Sequence, residues 1–513
     1  VSEVLFNGDE WSYDTIQRIH DAVAEIAIGE LGLDIYPNQI EIITAEQMLD
    51  AYASTGMPIF YQHWSFGKHF TQHETMYRKG MMGLAYEIVI NSNPCISYVM
   101  EGNSATMQTL VIAHAAFGHN HFFKNNQTFR DFTDPAGILD YLKFAKAYIS
   151  RCEEQYGETA VERLLDAAHA LQGQGVHRSG KRRQLDLRTE EARQRDRRAY
   201  EAEIHNELWR TLPTTPGKQR TADEARTLAM ASRLGLPEEN VLFFLERHAP
   251  KLASWQREIL RIVRLVGHYL YPQRLTKVMN EGTATYVHYR VMQRLHETGK
   301  INDGAFFEFL TSHTNVVAQP GFDHPAYSGI NPYALGFSMM RDIERIVTKP
   351  TDEDRAWAPD IAGRNDVMGV LKEIWENYRD DSFIAQYLSP RLMREMKFFN
   401  IEDNPREPEL VVGAIHDERG YRKLRRALAR RYDPSESDPL MEVASVDLLG
   451  DRRLILDHKV LEGRTLSASA SRRALQHIAD LWGYDVELRE LDNSTGQKLA
   501  EHQARPQHPF GAG

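Results

Sequence analysis

Between Leu110 and Asn126 the chain reads LVIAHAAFGHNHFFKNN, and three imidazoles (His114, His119 and His121) fall within eight residues of an otherwise apolar, helix-prone run. Each buried polar ring must find partners, so a segment that keeps three of them is expected to bind something. Whether they converge depends on helix geometry. His114 and His121, seven apart, share a face of a regular helix; His114 and His119, five apart, diverge by about 140° at 3.6 residues per turn. Gly118 is a natural place for a π-bulge or a helix end, and either would let the i,i+5 pair meet. The residues alone leave both pairings open. Zinc peptidase helices carry H-E-x-x-H with the Glu as base, but here Ala115 stands where that Glu would be. A metal is therefore expected without that mechanism.

A second constellation is NEGTATYVH, Asn280 to His288. On a helix Glu281, Thr285 and His288 lie at i, i+4 and i+7 and share a face. Glu281 would complete a His/His/Glu set with an open fourth position, the composition of a catalytic site for zinc or another divalent transition metal. The plain alternative is a carboxylate that charges a helix N-terminus. Glu87 and Glu101 stand at the ends of apolar runs leading into the His-rich helix. Either would serve as general base with its pKa raised by burial. His313 and His324 sit near expected loops, where site residues concentrate. His63, beside Trp64, is expected to be a packed core residue, and His69 with His73 a surface pair. Cys95 is a weak nucleophile candidate, because no neighbouring base is implied and buried Cys is common.

Around these residues the pattern is mainly helical. Apolar positions at helical period mark residues 11–32, with Gly32 as C-cap, and a short extended piece follows, then a helix ended by Gly56 and Pro58. The β-branched runs Ile88–Ile90 and Ile96–Val99, joined by a turn at Ser92–Pro94, read as a β-hairpin feeding the His-rich helix. Further helices are expected over 138–157, 160–173, 238–280, 280–296 and 367–378. Residues 173–226 form a charge-dense insertion, read as a solvated helical arm, with docking to an acidic partner as the other reading. From Phe399 onward the order βαββαβ suggests a ferredoxin-like module.

The whole chain, 513 residues with a formal charge of −11, has ordinary globular composition and is not that of a general nucleic-acid binder. Its two cysteines make no disulfide framework and fit a reducing compartment. The opening residues lack a charged segment followed by an apolar core, and no apolar run reaches membrane-spanning length, so neither a signal peptide nor a membrane span is expected and the location is read as cytoplasmic.

Six stretches occur together: DIYPNQIEIITAEQMLDAYASTGMPIFYQHWSFGKHF, GLAYEIVINSNPCISYVMEGNS, HAAFGHNHFFKNN, VMNEGTATYVHY, FLTSHTNVV and SGINPYALGF. In this order they resemble the stage V sporulation protein R (SpoVR) family, from about residue 10 to beyond 490. The resemblance implies a link to spore-cortex formation, or to other physiology in bacteria that make no spores. It also implies association with a PrkA-type serine kinase and a von Willebrand A-domain protein. It covers His114, Gly118, His119 and Asn120, but not His121, and so favours the His114/His119 pair with a local helix distortion. The family's second motif is close to N-E-G-W-A-T-F-W-H-Y; Glu281 and His288 match it, while Thr283, Tyr286 and Val287 depart, which bears on the cleft wall. H-x-x-x-G-H with a distant E-G-x-A is also similar to some gluzincin-type peptidases, whose third ligand is the later Glu.

The expectation is thus an α+β protein. A mainly helical domain spans 1–395, with the 173–226 arm and a small hairpin element. A ferredoxin-like domain spans 396–495, and 496–513 is read as a disordered tail. The expected activity is a metal-dependent hydrolase or acyl-transfer enzyme acting on an amide bond of a peptide or peptidoglycan-like substrate. His114, His119 and Glu281 would hold zinc, Glu101 or Glu87 would act as base, and His288 or His313 would steady the tetrahedral intermediate. The rival is a non-catalytic assembly or regulatory factor in which the His cluster is structural.

Overall fold

The computed structural model of the protein describes residues 3–53, 61, 63, 87–178, 234–321, 324–325, 327–398, 400–402, 411–414, 417–434, 438–448 and 450–510. The pair His69 and His73 and all but the first residues of the charged arm lie outside these. The chain forms two compact units, one of Val1–Pro58, Ser65–Asp131 and Pro272–Pro434, the other of Ile59–Trp64, Phe132–Tyr271 and Ser435–Gly513.

The first unit is built on helices around a small sheet. Strands β1 (Asn38–Ile43), β2 (Glu87–Ile90) and β3 (Cys95–Met100) lie in the order β1-β3-β2. The expected hairpin forms, with Glu87 opposite Val99 and Ile90 opposite Ile96, and β1 adds to it in parallel. Helix α1 (Tyr13–Ala24) starts at the Ser12 side chain, which accepts from Thr15 N. Helix α2 (Ala105–Ile112) starts in the same way at Ser104, which accepts from Met107 N. All eight residues of α2 are buried, which is why it shows no polar face. After a wider turn the chain continues as α3 (Asn120–Asn125).

Three later helices complete this layer: α4 (Lys277–Glu297), α5 (Asp303–Val316) and α6 (Pro332–Thr348). Helix α6 begins with Asn331 as N-cap and Pro332 in the first turn, where a missing N–H costs nothing. Helix α4 has no side-chain cap of its own. Instead the buried Asp380 carboxylate accepts from Val278 N (2.8 Å) and Met279 N (2.9 Å). The core around these helices is aromatic and aliphatic, including Phe117, Phe122, Tyr286, Phe309, Met340, Trp375 and Phe383. Two short strands, β4 (Asn400–Glu402) and β5 (Val411–Ala414), pair antiparallel, and the Arg-rich helix Glu418–Tyr432 follows them.

In the second unit, strands β6 (Leu440–Val446), β7 (Leu454–Val460), β8 (Val486–Asp492) and β9 (Lys498–Ala504) form one sheet in that order. Only β7 and β8 are parallel, joined through helix Ala468–Trp482, which Gly483 ends at φ +82°. That helix packs on the sheet and on helices Glu158–Ala170 and Val241–His248, and its Trp482 is fully buried. The C-terminal region is therefore α+β, a four-stranded sheet with a helix, consistent with a ferredoxin-like module. Two details differ from the expected βαββαβ order. The opening strand and helix belong to the other unit, because β5 finds its partner in β4. The last strand comes from residues expected to be a disordered tail. KLAEHQA forms an edge strand with only Ala504 buried, so it has too few apolar positions to announce itself.

Candidate metal centre

The His-rich segment is one continuous helix that widens in the middle. Between α2 and α3, residues Ala113–His119 form a π-helical turn. The extra residue in the turn lets positions i and i+5 face the same way. The His114 and His119 rings meet edge-on with centroids 4.6 Å apart. His121 is turned elsewhere, its Nδ1 at 2.9 Å from the Asp34 carbonyl, so the His114/His121 pairing does not form.

Close helix crossings bring the carboxylate partner in. A Cβ on Gly118 would stand 2.6 Å from the Ala284 Cα, and one on Gly282 would stand 2.6 Å from the Gly336 carbonyl carbon. Only glycine permits these approaches. The two residues after Glu281 that matter in N-E-G-x-A thus have distinct duties. Gly282 seats α4 against α6, and Ala284 seats it against the π turn.

At the crossing, His114 Nε2 lies 3.4 Å from Glu87 Oε1 and 3.9 Å from Glu281 Oε2, while His119 Nε2 lies 3.5 Å from Glu281 Oε2. Ligand atoms of Glu87, His114 and His119 all fall within 4.8 Å of one another, so this group can hold a metal ion. Tetrahedral ligands about 2.0–2.1 Å from zinc are separated by about 3.3 Å along each edge, close to these spacings. The side chains of His114 and His119 are 5% and 8% exposed, those of Glu281 and Glu87 17% and 19%. The imidazoles therefore form the floor and the carboxylates the rim.

Hydrogen bonds fix the ring orientations. Asn280 Oδ1 can only accept, so His119 Nδ1–H donates to it (2.8 Å) and the neutral ring presents a bare Nε2 to Glu281. His114 Nδ1 is 2.9 Å from His288 Nδ1, and His288 Nε2 is 2.9 Å from His313 Nδ1. The Tyr333 hydroxyl hydrogen-bonds the Glu281 carboxylate. Yet Glu281 Oε2, the oxygen facing both histidines, is buried without a hydrogen bond. A buried carboxylate oxygen left in that state is costly unless a cation completes it.

The electrostatics follow from burial and from these neighbours. Burial raises the Glu87 pKa, with His114 opposing and Glu281 adding to the rise. Burial alone would lower His114, but the Glu87 and Glu281 carboxylates outweigh it and its pKa is raised. His119 is pushed down to about 4 by burial and by His114. Burial would raise Glu281, but His114, His119 and Tyr333 hold it low. Burial also pushes His288 far down and His313 to about 4, so both are neutral rings.

Of the residues singled out from sequence, His114, His119, Glu281, Glu87 and His288 come together here, with His313 one ring further out. Glu101 does not: it is exposed in the turn after β3, its N–H bonded to Ile43 O. His288 has both nitrogens engaged and so has none to offer an oxyanion. Cys95 is buried, its pKa pushed up to about 12 by burial, which makes it a poor nucleophile. Asn280 and Tyr333 were given no role from the sequence, although both lie within the stretches that carry the family resemblance.

The family model described as SpoVR like protein matches residues 10–437, and that of the SpoVR-like C-terminal domain matches residues 439–493. The chain belongs to the SpoVR family. A similar relative is the Escherichia coli (strain K12) protein named "Uncharacterized protein YcgB", 49% identical over 498 residues, which span 97% of this chain and 96% of that protein. No solved structure matches the chain. Among the described residues no helix is long and apolar enough to cross a membrane.

Proposed function

We propose that the chain is a metal-dependent hydrolase or acyl-transfer enzyme acting on an amide bond, with the ion held by His114 Nε2, His119 Nε2 and Glu281, and with Glu87, which also lies within ligand distance of the two rings, left free to act as base. The observation that carries this reading is the buried Glu281 Oε2, which has no hydrogen bond and sits 3.5 Å from His119 Nε2 and 3.9 Å from His114 Nε2. Two imidazoles with carboxylate suit zinc, and equally ferrous iron. A zinc ion there would supply Lewis acidity and an acidified water. Glu87, partly exposed and with its pKa raised, is the general base in this reading. Glu101 is too exposed for that role, and His288 and His313 act on His114 rather than on substrate.

The substrate class suggested by the gluzincin-like motif is a peptide or peptidoglycan-like amide. Spore-cortex or stress physiology is the setting to examine, with a PrkA-type kinase and a von Willebrand A-domain protein as first partners. Elemental analysis of untagged protein tests the centre: about one zinc-class ion per chain is expected. His119→Ala and Glu281→Gln are expected to lose the ion while circular dichroism stays unchanged. Glu87→Gln is expected to keep the ion and lose cleavage of a stem-peptide or mixed-peptide substrate. Wild-type protein that takes up none of zinc, cobalt, manganese or iron ends the proposal.

A further inference from the structure

The first unit also carries a helix whose charge runs against that of the chain. Glu418–Tyr432 reads ERGYRKLRRALARRY, seven basic residues and one acid, in a protein of formal charge −11. Its apolar residues face inward: Tyr421 and Leu428 join the core, and the helix packs on Asp380–Tyr387. On the opposite face Arg419, Lys423, Arg426 and Arg430 stand exposed at i, i+4, i+7 and i+11. At 1.5 Å per residue this stripe is about 16 Å long.

Part of the charge is used within the fold. Arg422 pairs with Glu418 at 2.9 Å, and Arg422 and Arg425 lie over the Trp357 ring at 4.9 Å and 4.5 Å. Arg419, Lys423 and Arg426 have no carboxylate partner among the described residues. Like charges three and four apart destabilise a helix. The crowding is felt at Arg425, whose pKa is lowered first by burial and then by Arg422 and Arg426. The stripe therefore repels itself and meets no acid of its own fold.

We infer that the exposed face of this helix is a docking surface for an acidic protein segment, with Arg419, Lys423 and Arg426 as its contacts. Six of the seven basic residues are arginine, whose planar fork pairs bidentately with a carboxylate. Glutamates at the same spacing on a partner helix would meet the stripe one for one. A lipid surface fits less well, because the apolar residues of the helix are already turned into the core. Single-stranded nucleic acid needs open rings for its bases, yet Tyr421 is buried and Trp357 is covered by two arginines. Either extended polyanion would also feel the −11 charge of the rest of the chain, whereas a short acidic segment meets the stripe alone.

The test uses the full chain and the fluorescence anisotropy of a labelled, alanine-based helical peptide with glutamates at i, i+4, i+7 and i+11. Wild type is expected to bind it, with affinity falling at least about tenfold as salt rises from about 0.05 M to about 0.3 M. Arg419→Glu with Arg426→Glu turns two attractions into repulsions and is expected to weaken binding at least about tenfold. The matched control is Arg472→Glu with Arg473→Glu, an exposed pair on the helix Ala468–Trp482 that takes the chain to the same net charge. It is expected to weaken binding less than about twofold, because charges beyond a Debye length are screened. Arg419→Gln with Arg426→Gln relieves the self-repulsion, so it should weaken binding without lowering the melting temperature. Wild type that ignores the peptide, or two Glu variants that lose affinity equally, overturns the proposal. So does tighter binding of a single-stranded RNA or of phosphatidylserine vesicles that depends on Arg419 and Arg426, since the face would then serve a different class of partner.

Discussion

Replacing Gly118 by alanine tests the geometry on which the site depends. The new Cβ would stand 2.6 Å from the Ala284 Cα and 2.9 Å from the Ala284 Cβ. Carbon atoms in good contact sit about 3.5–4.0 Å apart, so the π turn and α4 must separate by about 1 Å. Overpacking of this kind costs about 1–3 kcal/mol. Alanine's better helix propensity offsets about 1 kcal/mol, which leaves a net loss of about 0–2 kcal/mol. The effect on the site is larger than the effect on the fold. Glu281 rides on the same helix as Ala284, so the 3.5 Å gap to His119 Nε2 would open with the crossing. Metal sites tolerate about 0.2 Å in ligand distance. Metal affinity is therefore expected to fall at least tenfold, equal to about 1.4 kcal/mol. Chelator competition measures the affinity and urea unfolding the stability. Gly29→Ala is the control, because nothing lies within 4 Å of its Cβ and the same propensity gain should appear without any loss of metal. If Gly118→Ala binds metal as tightly as wild type, the close crossing is not what assembles the ligands.

Three other predictions follow from single contacts. Asn280→Ala removes the acceptor for His119 Nδ1–H and should weaken metal binding about 10–100-fold, while Asn280→Asp should retain it, as chelator competition would show. Asp380→Ala leaves the first N–H groups of α4 unpaired in a buried place and should cost about 1–3 kcal/mol in urea unfolding. In the C-terminal sheet, burial would raise the pKa of Glu490, but hydrogen bonds from His502, Leu466 N and His458 outweigh it and hold the carboxylate low. A depressed folded pKa adds stability above the unfolded value near 4.5 and loses it as pH falls through the folded one. Acid unfolding monitored at Trp482 should therefore steepen below about pH 4.5, and Glu490→Gln should flatten that dependence.

The parts of this fold that rest on local pattern were legible in the sequence. The hairpin followed from its β-branched runs, and the helical period of residues 280–296 gave Glu281 and His288 a common face. Gly118 marked where the His-rich helix leaves regular geometry, because a residue without Cβ is tolerated mid-helix only for a reason. Relations between distant segments were not legible. Nothing in GINPYALG says that Tyr333 reaches Glu281, or that Gly336 is the notch for Gly282, since both depend on how two helices cross. The parallel pairing of β1 with β3 is hidden for the same reason. In the tail, β9 has almost no apolar alternation, and β5 looks like any strand until its partner β4 is known. The engagement of both His288 nitrogens depends on how three helices meet, and it argues against the place beside a substrate expected from the sequence.

Helix α2 buries all eight of its residues, and its neighbours include α4 and α5. During synthesis it leaves the ribosome well ahead of them: His114 precedes its partner His288 by 174 residues. At ordinary translation rates that interval is roughly 10–35 s. Throughout it, a helix whose every residue is buried in the folded protein lacks the surfaces that later enclose it. The His-rich segment can reach its native packing only once Lys277–Glu297 and Asp303–Val316, more than half-way along the 513 residues, have been made.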